Sequence, residues 1–586
     1  MALDPDTLFR LHEAFSRWES GRFQSSGTVN SYWEDHIRRD PLLQEVSVCV
    51  ELVVGKDTIL RIANRPTRTV SATTGRVYQY LPILQSLPSL VDGYAQGSGS
   101  SQARTVTIQV PNRYLDVANL IGQGRLLAGV GEVSFQVDGG DYDQRLVWLR
   151  GDMADGVTFA ARRELVEVVL TDPRDTTDVS LPPFIIDSTS WPATAGPSDS
   201  AQGQRYALVP TQYDRIPCWW VSTPQSAGST PYVVVCIGHL DDRTSTVVID
   251  GDEFSSTSTL YGYAWEHTSD AVGVPVTILR FTGTARNTFE FTEQVYASPS
   301  GGDVTTDHPL DAVRYVVERY TAMGTAGVSD LLFSTAIAKL PGVQARLLVN
   351  AGGAANTTSL AYLEGEFLAS FPMVSMIWHG SGYGPVVTDR RSPVVTLNLR
   401  ADQFPILDRA SSVTETPKAD CFNDFTLQYN YDPVEDTYTE IVSVGARTSN
   451  LCAISLEQIG SRPMDVVESP YIFDDATAQY VVDWMVDHLT FPAYVVQYHV
   501  AAQLFILLKP GDNVRITDPE FTWDGVLATV EGMEWVGTHA VLTLRVWWRY
   551  YTLGTGAGTG TGDGPPPGGQ GQGGGGQGGG GEGGGN

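Results

Sequence analysis

Near the C-terminus, "LLKPGDNVRITDPEF" (507–521) sets Asp512, Asp518 and Glu520 between apolar runs, a spacing that invites a carboxylate pair or a metal site. Two other stretches look like calcium loops: "VDGGDYD", where Asp138, Asp141 and Asp143 can converge, and "IDGDEF". Neither has the length or the closing bidentate glutamate of an EF-hand, and both fall where a hairpin turn is expected. "CIGHLDD" groups Cys236, His239, Asp241 and Asp242 at a strand end, where a turn explains the acids as well as a metal would. In "WHGSGYGP", His379 lies beside Ser381 as a base lies beside a serine nucleophile. The G-x-S-x-G elbow needs glycine at position 379, so a flexible loop is expected instead. "IGQGRLLAGVGE" lacks the P-loop lysine and follows a helical pattern, which makes it a helix end rather than a phosphate cradle. None of the nine histidines forms HExxH, HxH or a Cys-His cluster. The expectation is no catalytic, cofactor-binding or metal residue, and no cofactor.

Aromatic clusters are the other chemical possibility. "CWWVS" holds Trp219 and Trp220, and "LRVWWRYY" holds Trp547, Trp548, Tyr550 and Tyr551. Such rings can stack sugars, but in an all-β chain they more commonly face a neighbouring subunit or the core.

The elements that carry these residues read as mainly β. "EVSVCVEL" alternates Val46, Val48, Val50 and Leu52 with polar partners, "RTVTIQV" does the same, and "EVSFQVDGGDYDQRLVWLRG" reads as two strands about an Asp-Gly-Gly turn. Helices are expected at the N-terminus ("DPDTLFRLHEAFSRWES"), at 113–129, in "DHPLDAVRYVVERYTAMG", "VSDLLFSTAIAKLPG" and "NTTSLAYLEGEFLASFP", and in "DDATAQYVVDWMVDHL". The expected organisation is an N-terminal helical segment (1–40), a first β-barrel-type unit (41–173), and a Pro/Ser/Thr-rich linker or surface crossing (174–205). A second β unit and possible insertion (206–300), an α+β unit (301–400) and a β-rich unit (401–553) follow. The fold class is thus mainly β with α+β portions, several barrels or sandwiches and short helices. Residues 554–586 are glycine-dense; such a coil has a root-mean-square reach of roughly 30 Å and reads as a disordered end, a tether or a plug.

The 586 residues suit three or four domains. With 38 Lys+Arg against 67 Asp+Glu the net charge is −29, which disfavours binding to nucleic-acid phosphates or anionic membranes. Five scattered cysteines without a CxxC pair predict reduced, buried thiols in a protein made in cytoplasm. No signal peptide or membrane span is expected.

From about residue 310 a series of landmarks follows in order: "LDAVRYVVERYT", "CFNDFTLQYNYD", "ESPYIFDDATAQYVVDWMVDHL" and "LLKPGDNVRITDPEFTWDGVLATVEGMEWVGTHAVLTLRVW". This series resembles the central hub proteins of bacteriophage tail tips and baseplates, in which a D-x-x-T-A helix precedes a GD-x-V-x-I/L-T hairpin. The likeness spans about 310–550. "VELVVGKDTILRIANRPTRT" and "GRVYQYLPIL" resemble the opening barrel of such proteins, whereas residues 180–300 match nothing. The resemblance implies a homotrimer whose chains each supply two tube-like barrels, adapting a six-fold tail tube to a three-fold spike or fibre around the DNA exit channel, within the virion. The implied partners are further copies of the chain, tail-tube and distal tail or baseplate proteins, and DNA in transit. Two alternatives stand beside it: a glycan-binding tail module centred on 180–300, and a cell-wall hydrolase with a carboxylate pair. Under the hub reading, Pro510–Gly511 make a bend, Asp512 and Asp518 cap backbone N–H groups, Asp518-Pro519 ends a strand, and Glu520 is solvated trim.

Overall fold

The computed structural model describes most of residues 46–546; residues 1–45, 94–104, 112–128, 173–180, 192–197, 223–230, 239–245, 284–293, 350–358, 400–405 and 547–586, with gaps of five residues or fewer, lie outside it. The expected N-terminal helix, the 113–129 helix and the glycine-rich tail therefore fall outside the described residues, apart from Gly129.

The chain is mainly β, in curled sheets with few short helices. It begins with β1 (Val46–Val53), β2 (Ile59–Ala63), β3 (Thr67–Val70), β4 (Val77–Tyr80), β5 (Leu90–Gly93), β6 (Thr105–Pro111), β7 (Val130–Val137), β8 (Leu146–Asp152), β9 (Val157–Ala160) and β10 (Leu165–Thr171). The first sheet runs β2-β1-β7-β8-β10-β6, with β9 on β10, all antiparallel. One face carries Val46, Val48, Val50 and Leu52 with Val133, Phe135 and Val137 into the core. The alternate, mostly polar residues of β1 are buried as well, because the β3–β4 hairpin and a 3₁₀ turn at Tyr142–Gln144 cover them.

The second sheet is built from β11 (Ile216–Ser222), β12 (Tyr232–Ile237), β13 (Thr246–Ile249), β14 (Asp252–Ser255), β15 (Tyr263–Ser269), β16 (Pro275–Phe281) and β17 (Val295–Ala297), in the order β14-β13-β17-β11-β12-β16-β15. At its β13–β14 turn, Asp250 and Gly251 both take positive φ (49° and 91°), as a two-residue hairpin turn requires. Both faces are covered. On one of them Ile186, Trp191 and Tyr206 pack on Val234 and Val276, so Ile186 and Trp191 of the Pro/Ser/Thr-rich stretch at 174–205 belong to a core.

The middle of the chain holds α1 (Pro309–Tyr320), α2 (Asp330–Lys339), α3 (Ser359–Tyr362), which continues through a π turn at Leu363–Phe367, and a hairpin of β18 (Val374–His379) and β19 (Gly382–Val387). Pro309 starts α1, and Ser329 caps α2 by accepting from the Leu332 N–H. Then come β20 (Val395–Leu399), β21 (Ile406–Arg409), β22 (Thr414–Glu415), β23 (Asp424–Asp432), β24 (Thr437–Gly445), α4 (Asn450–Ile459), β25 (Val467–Glu468) and α5 (Asp475–Leu489). Asp474 caps α5 through the Thr477 N–H at 2.9 Å. One core unites α1, α2, β18 and β19 with Phe425, Leu427 and the buried face of α5.

The chain ends its described course in β26 (Tyr494–Ala501), α6 (Leu504–Leu507), β27 (Asn513–Asp518), β28 (Trp523–Trp535) and β29 (His539–Val546). Their sheet runs β20-β27-β28-β29-β26-β21, with β22 on β26. Its far partner is β5: Leu90 to Gly93 pair antiparallel with Trp535 to Gly532. The first sheet and this last one enclose a single core, and at the seam Phe135, Trp148, Phe505 and Trp535 meet with ring centres 4.8–6.3 Å apart. No helix of the described residues is long and apolar enough to cross a membrane.

Candidate functional site

Of the three acids of 507–521, Asp518 and Glu520 come together on Arg409 Nη2, at 3.4 and 2.6 Å, while Asp512 is engaged elsewhere. Gly511 takes φ +85° in the bend ahead of β27 and donates its N–H to Val530 O at 2.8 Å, joining the bend to β28. Asp512 folds back, its Oδ2 accepting from the Lys509 N–H at 3.1 Å. Burial pushes its carboxyl up, partly offset by Lys509. Asp518, buried, accepts from the Tyr498 hydroxyl at 2.7 Å and from the Glu520 N–H at 3.0 Å. Glu520 is exposed but takes part in more than trim: Arg409 Nη2 donates to it at 2.6 Å, and Arg409 Cζ lies over the Phe521 ring, 4.4 Å from its centre. These contacts close the turn between β27 and β28. Asp512 and Asp518 both act on backbone N–H groups, as capping requires.

The apparent calcium loop resolves in the same way. Asp138 accepts from the Arg68 N–H, Asp141 from the Ala72 and Asp143 N–H groups, and Asp143 from the Ser71 hydroxyl and the Thr73 N–H, all within 2.7–3.0 Å. Three acids on the β7–β8 connection thus clamp the turn between β3 and β4. Among the described residues no group of three His, Cys, Asp or Glu side chains could hold a metal ion. His239, Asp241, Asp242 and Ser381 lie outside the described residues, as do Trp547, Trp548, Tyr550 and Tyr551. β18 and β19 pair as far as His379 and Gly382, and the expected flexible loop at Gly380–Ser381 lies outside the described residues. Trp220 is buried against Phe281, and Trp219 packs on the opposite face of the same sheet. All five cysteines are buried, and none is in a disulfide.

The densest charge cluster was not read from the sequence. Under the β3–β4 hairpin, on the covered face of β1 and β7, Glu51 accepts from the Tyr80 hydroxyl (2.5 Å), the Tyr142 hydroxyl (3.1 Å) and Arg61 Nε (3.2 Å). One strand away, Glu132 accepts from Arg145 Nε at 2.7 Å and Arg150 Nε at 2.9 Å. Gln136 bridges the Tyr80 hydroxyl and Ser134. Burial, reinforced by the Glu51 carboxylate, pushes the Tyr80 and Tyr142 phenols above their usual range, so both stay protonated and donate. Glu51 and Glu132 occupy the polar positions of alternating strands, which reads as solvent exposure. Only the arginines at matching registers of β2 and β8 hint that these acids are paired inside. Guanidinium or phenol donors meet Glu51 Oε1 and both oxygens of Glu132, while Glu51 Oε2 is buried without a hydrogen-bond partner, and the cluster ties the hairpin to the sheet.

No family model matches the chain, and no curated protein matches it. Among solved structures it is similar to prophage tail protein gp18 from Listeria monocytogenes EGD-e, at 11% identity over 58% of this chain and 87% of that one, with a TM-score of 0.24. It is similar to a tail protein from Neisseria meningitidis MC58, at 12% identity over 58% of this chain and 96% of that one, with a TM-score of 0.25. It is also similar to a PdpA–VgrG complex, at 6% identity over 86% of this chain and 65% of that one, with a TM-score of 0.24. These are remote likenesses, and what the chain does has to be read from its own residues.

Proposed function

We propose that this chain is a structural, non-enzymatic protein of a bacteriophage tail tip or baseplate: the central hub, a homotrimer that joins a six-fold tail tube to a three-fold spike or fibre. The observation that carries the reading is the shared core. Two curled sheets from opposite ends of the described chain are fused through Phe135, Trp148, Phe505 and Trp535 and through the β5–β28 pairing. A chain that must present two barrel-like bodies to a ring at fixed mutual orientation needs such a joint. The ordered landmarks of residues 310–550 support the same reading, and the acids that look catalytic in sequence are spent on turns and caps. The net charge of −29 suits a channel wall that DNA crosses without sticking. The neighbours in the virion are then tail-tube and distal tail or baseplate proteins. The test is the native mass of the purified full-length chain. Three times the chain mass is expected, and a stable monomer at micromolar concentration overturns the trimeric hub.

A further inference from the structure

β24 has an open edge: it pairs with β23 along its length and, among the described residues, with no strand on its other side. At nine residues it is the longest strand so placed, since every other edge strand of the described sheets has seven or fewer. Natural proteins blunt such edges with lysine, proline, a bulge or brevity, because unpaired N–H and C=O groups template a further strand. β24, "TYTEIVSVG", contains no lysine, arginine or proline, and its register with β23 runs without a shift. Its rigidity comes from one face: Phe425 and Leu427 of β23 sit in the helical core, and Val442 and Val444 of β24 pack on it. The opposite face is a row of small polar pairs around one apolar side chain. Thr426 and Ser443 share a hydrogen bond at 3.1 Å, Asn430 Nδ2 donates to Thr439 at 2.8 Å, and between these pairs Ile441, opposite Gln428, is 60% exposed.

We infer that β24 is a docking edge for an extended, basic segment of another protein, which adds to β24-β23-β25 as a fourth strand. Main-chain hydrogen bonds along the edge supply the affinity, and the side chains that alternate above and below the sheet supply the choice of partner. That choice is set by charge. Glu435 and Asp436 in the hairpin turn, Glu440 on β24 and Glu468 on β25 are all exposed, and no lysine or arginine stands on the three strands or in that turn. Arg447 and Arg462 lie beyond the other end, where Gly445 pairs with Asp424. A fourth strand therefore meets Glu440 on one face, which lysine or arginine satisfies, and Ile441 on the other, which a β-branched residue covers. A second copy is the poorer occupant, because β14, an exposed edge of this chain, would bring Asp252 and Glu253 against Glu440. The inference goes beyond the hub reading and needs one chain only.

The experiment is fluorescence anisotropy on the full-length protein with a labelled nonapeptide that alternates lysine with valine and threonine, run beside the same peptide with glutamate for lysine. At low ionic strength the lysine peptide is expected to bind at least about tenfold more tightly, with the preference shrinking as salt screens the acids. A strand turns only every second N–H toward its neighbour, so N-methylation of alternate residues is expected to abolish binding in one register and to spare it in the other. Ile441→Lys places a blocking charge on the edge and is expected to weaken the lysine peptide at least about tenfold, with the melting temperature unchanged because the side chain is exposed. No binding, equal binding of the glutamate peptide, or binding that survives N-methylation in both registers overturns the proposal. If no peptide binds and Ile441→Lys lowers the native mass, a second copy holds the edge, which overturns it too. If Ile441→Lys melts early, the two methylated peptides on the wild-type protein decide.

Discussion

Phe505→Ala tests the fused core directly. Phe505 is 4% exposed and meets Phe135 and Trp535 edge-on at 6.0 and 5.8 Å, with Trp148 at 6.3 Å. Removing the ring forfeits a transfer contribution of about 1.5–3 kcal/mol and aromatic contacts of about 0.5–1.5 kcal/mol. With the cavity left behind, the loss falls at the ~3–5 kcal/mol typical of buried Phe→Ala changes. Because a chain this long need not unfold in one step, the readout should be local: hydrogen exchange by mass spectrometry over peptides covering β7 and β28. Both peptides are expected to exchange about 150-fold to about 4,000-fold faster through the cooperative opening, the equivalent of that loss. The second sheet, with its own two cores, should keep its wild-type protection. Acceleration of β28 with β7 unchanged would refute the shared core, since the first sheet would then stand without the last.

Two further outcomes follow from single residues. His308 caps α1, its Nδ1 accepting from the Leu310 N–H at 3.2 Å while Nε2 faces Leu340 O at 3.2 Å, and burial holds its pKa below the usual imidazole value despite Leu340 O and Asp311. A depressed folded-state pKa means the unfolded chain binds the proton more readily, so the cap contributes fully above about pH 6.5 and is lost as pH falls through the folded value. His308→Ala should therefore cost about 1 kcal/mol at pH 7.5 and little at low pH. His308→Asn should flatten the pH dependence of the melting temperature; an unchanged slope would rule His308 out as its source. Gly511→Ala meets both a left-handed backbone (φ +85°) and Val386 Cβ at 2.8 Å, whereas Gly525→Ala meets only φ +65° with nothing within 4 Å. The backbone penalty of about 1–2 kcal/mol applies to both, and Gly511→Ala should show a further drop in melting temperature. Equal drops would mean that the bend and β19 do not touch in solution.

Much of the strand pattern is legible in the sequence because alternation is local: Val46, Val48, Val50 and Leu52 announce β1, and Asp138-Gly139-Gly140 announces the turn after β7. What the alternation cannot tell is whether the polar face is wet. Ser47, Cys49 and Glu51 are buried because the hairpin at 67–80 folds over them, and that depends on contacts up to about 90 residues away, such as Tyr142 with Glu51. The acids at 138–143 are readable as turn residues, but the turn they clamp lies some 70 residues earlier. The stretch 174–205 looks like a crossing by composition, yet within it Trp191 Nε1 donates to Tyr206, whose hydroxyl donates to Asp270, tying it to the second sheet. In each case local chemistry gives the element and a distant partner decides its environment.

The pairing of Leu90–Gly93 with Gly532–Trp535 also sets a timetable. About 440 residues must be made between these strands, which at roughly 5–20 residues per second takes about 20 to 90 s. The helical core and the second sheet draw on residues made within that interval and can close while synthesis continues. The first sheet cannot, since the apolar face carrying Val48, Val50 and Phe135 is capped by the last strands to emerge. For that time the nascent first sheet lacks the strands that cover its apolar face, and transiently exposed surface of this kind is where aggregation begins.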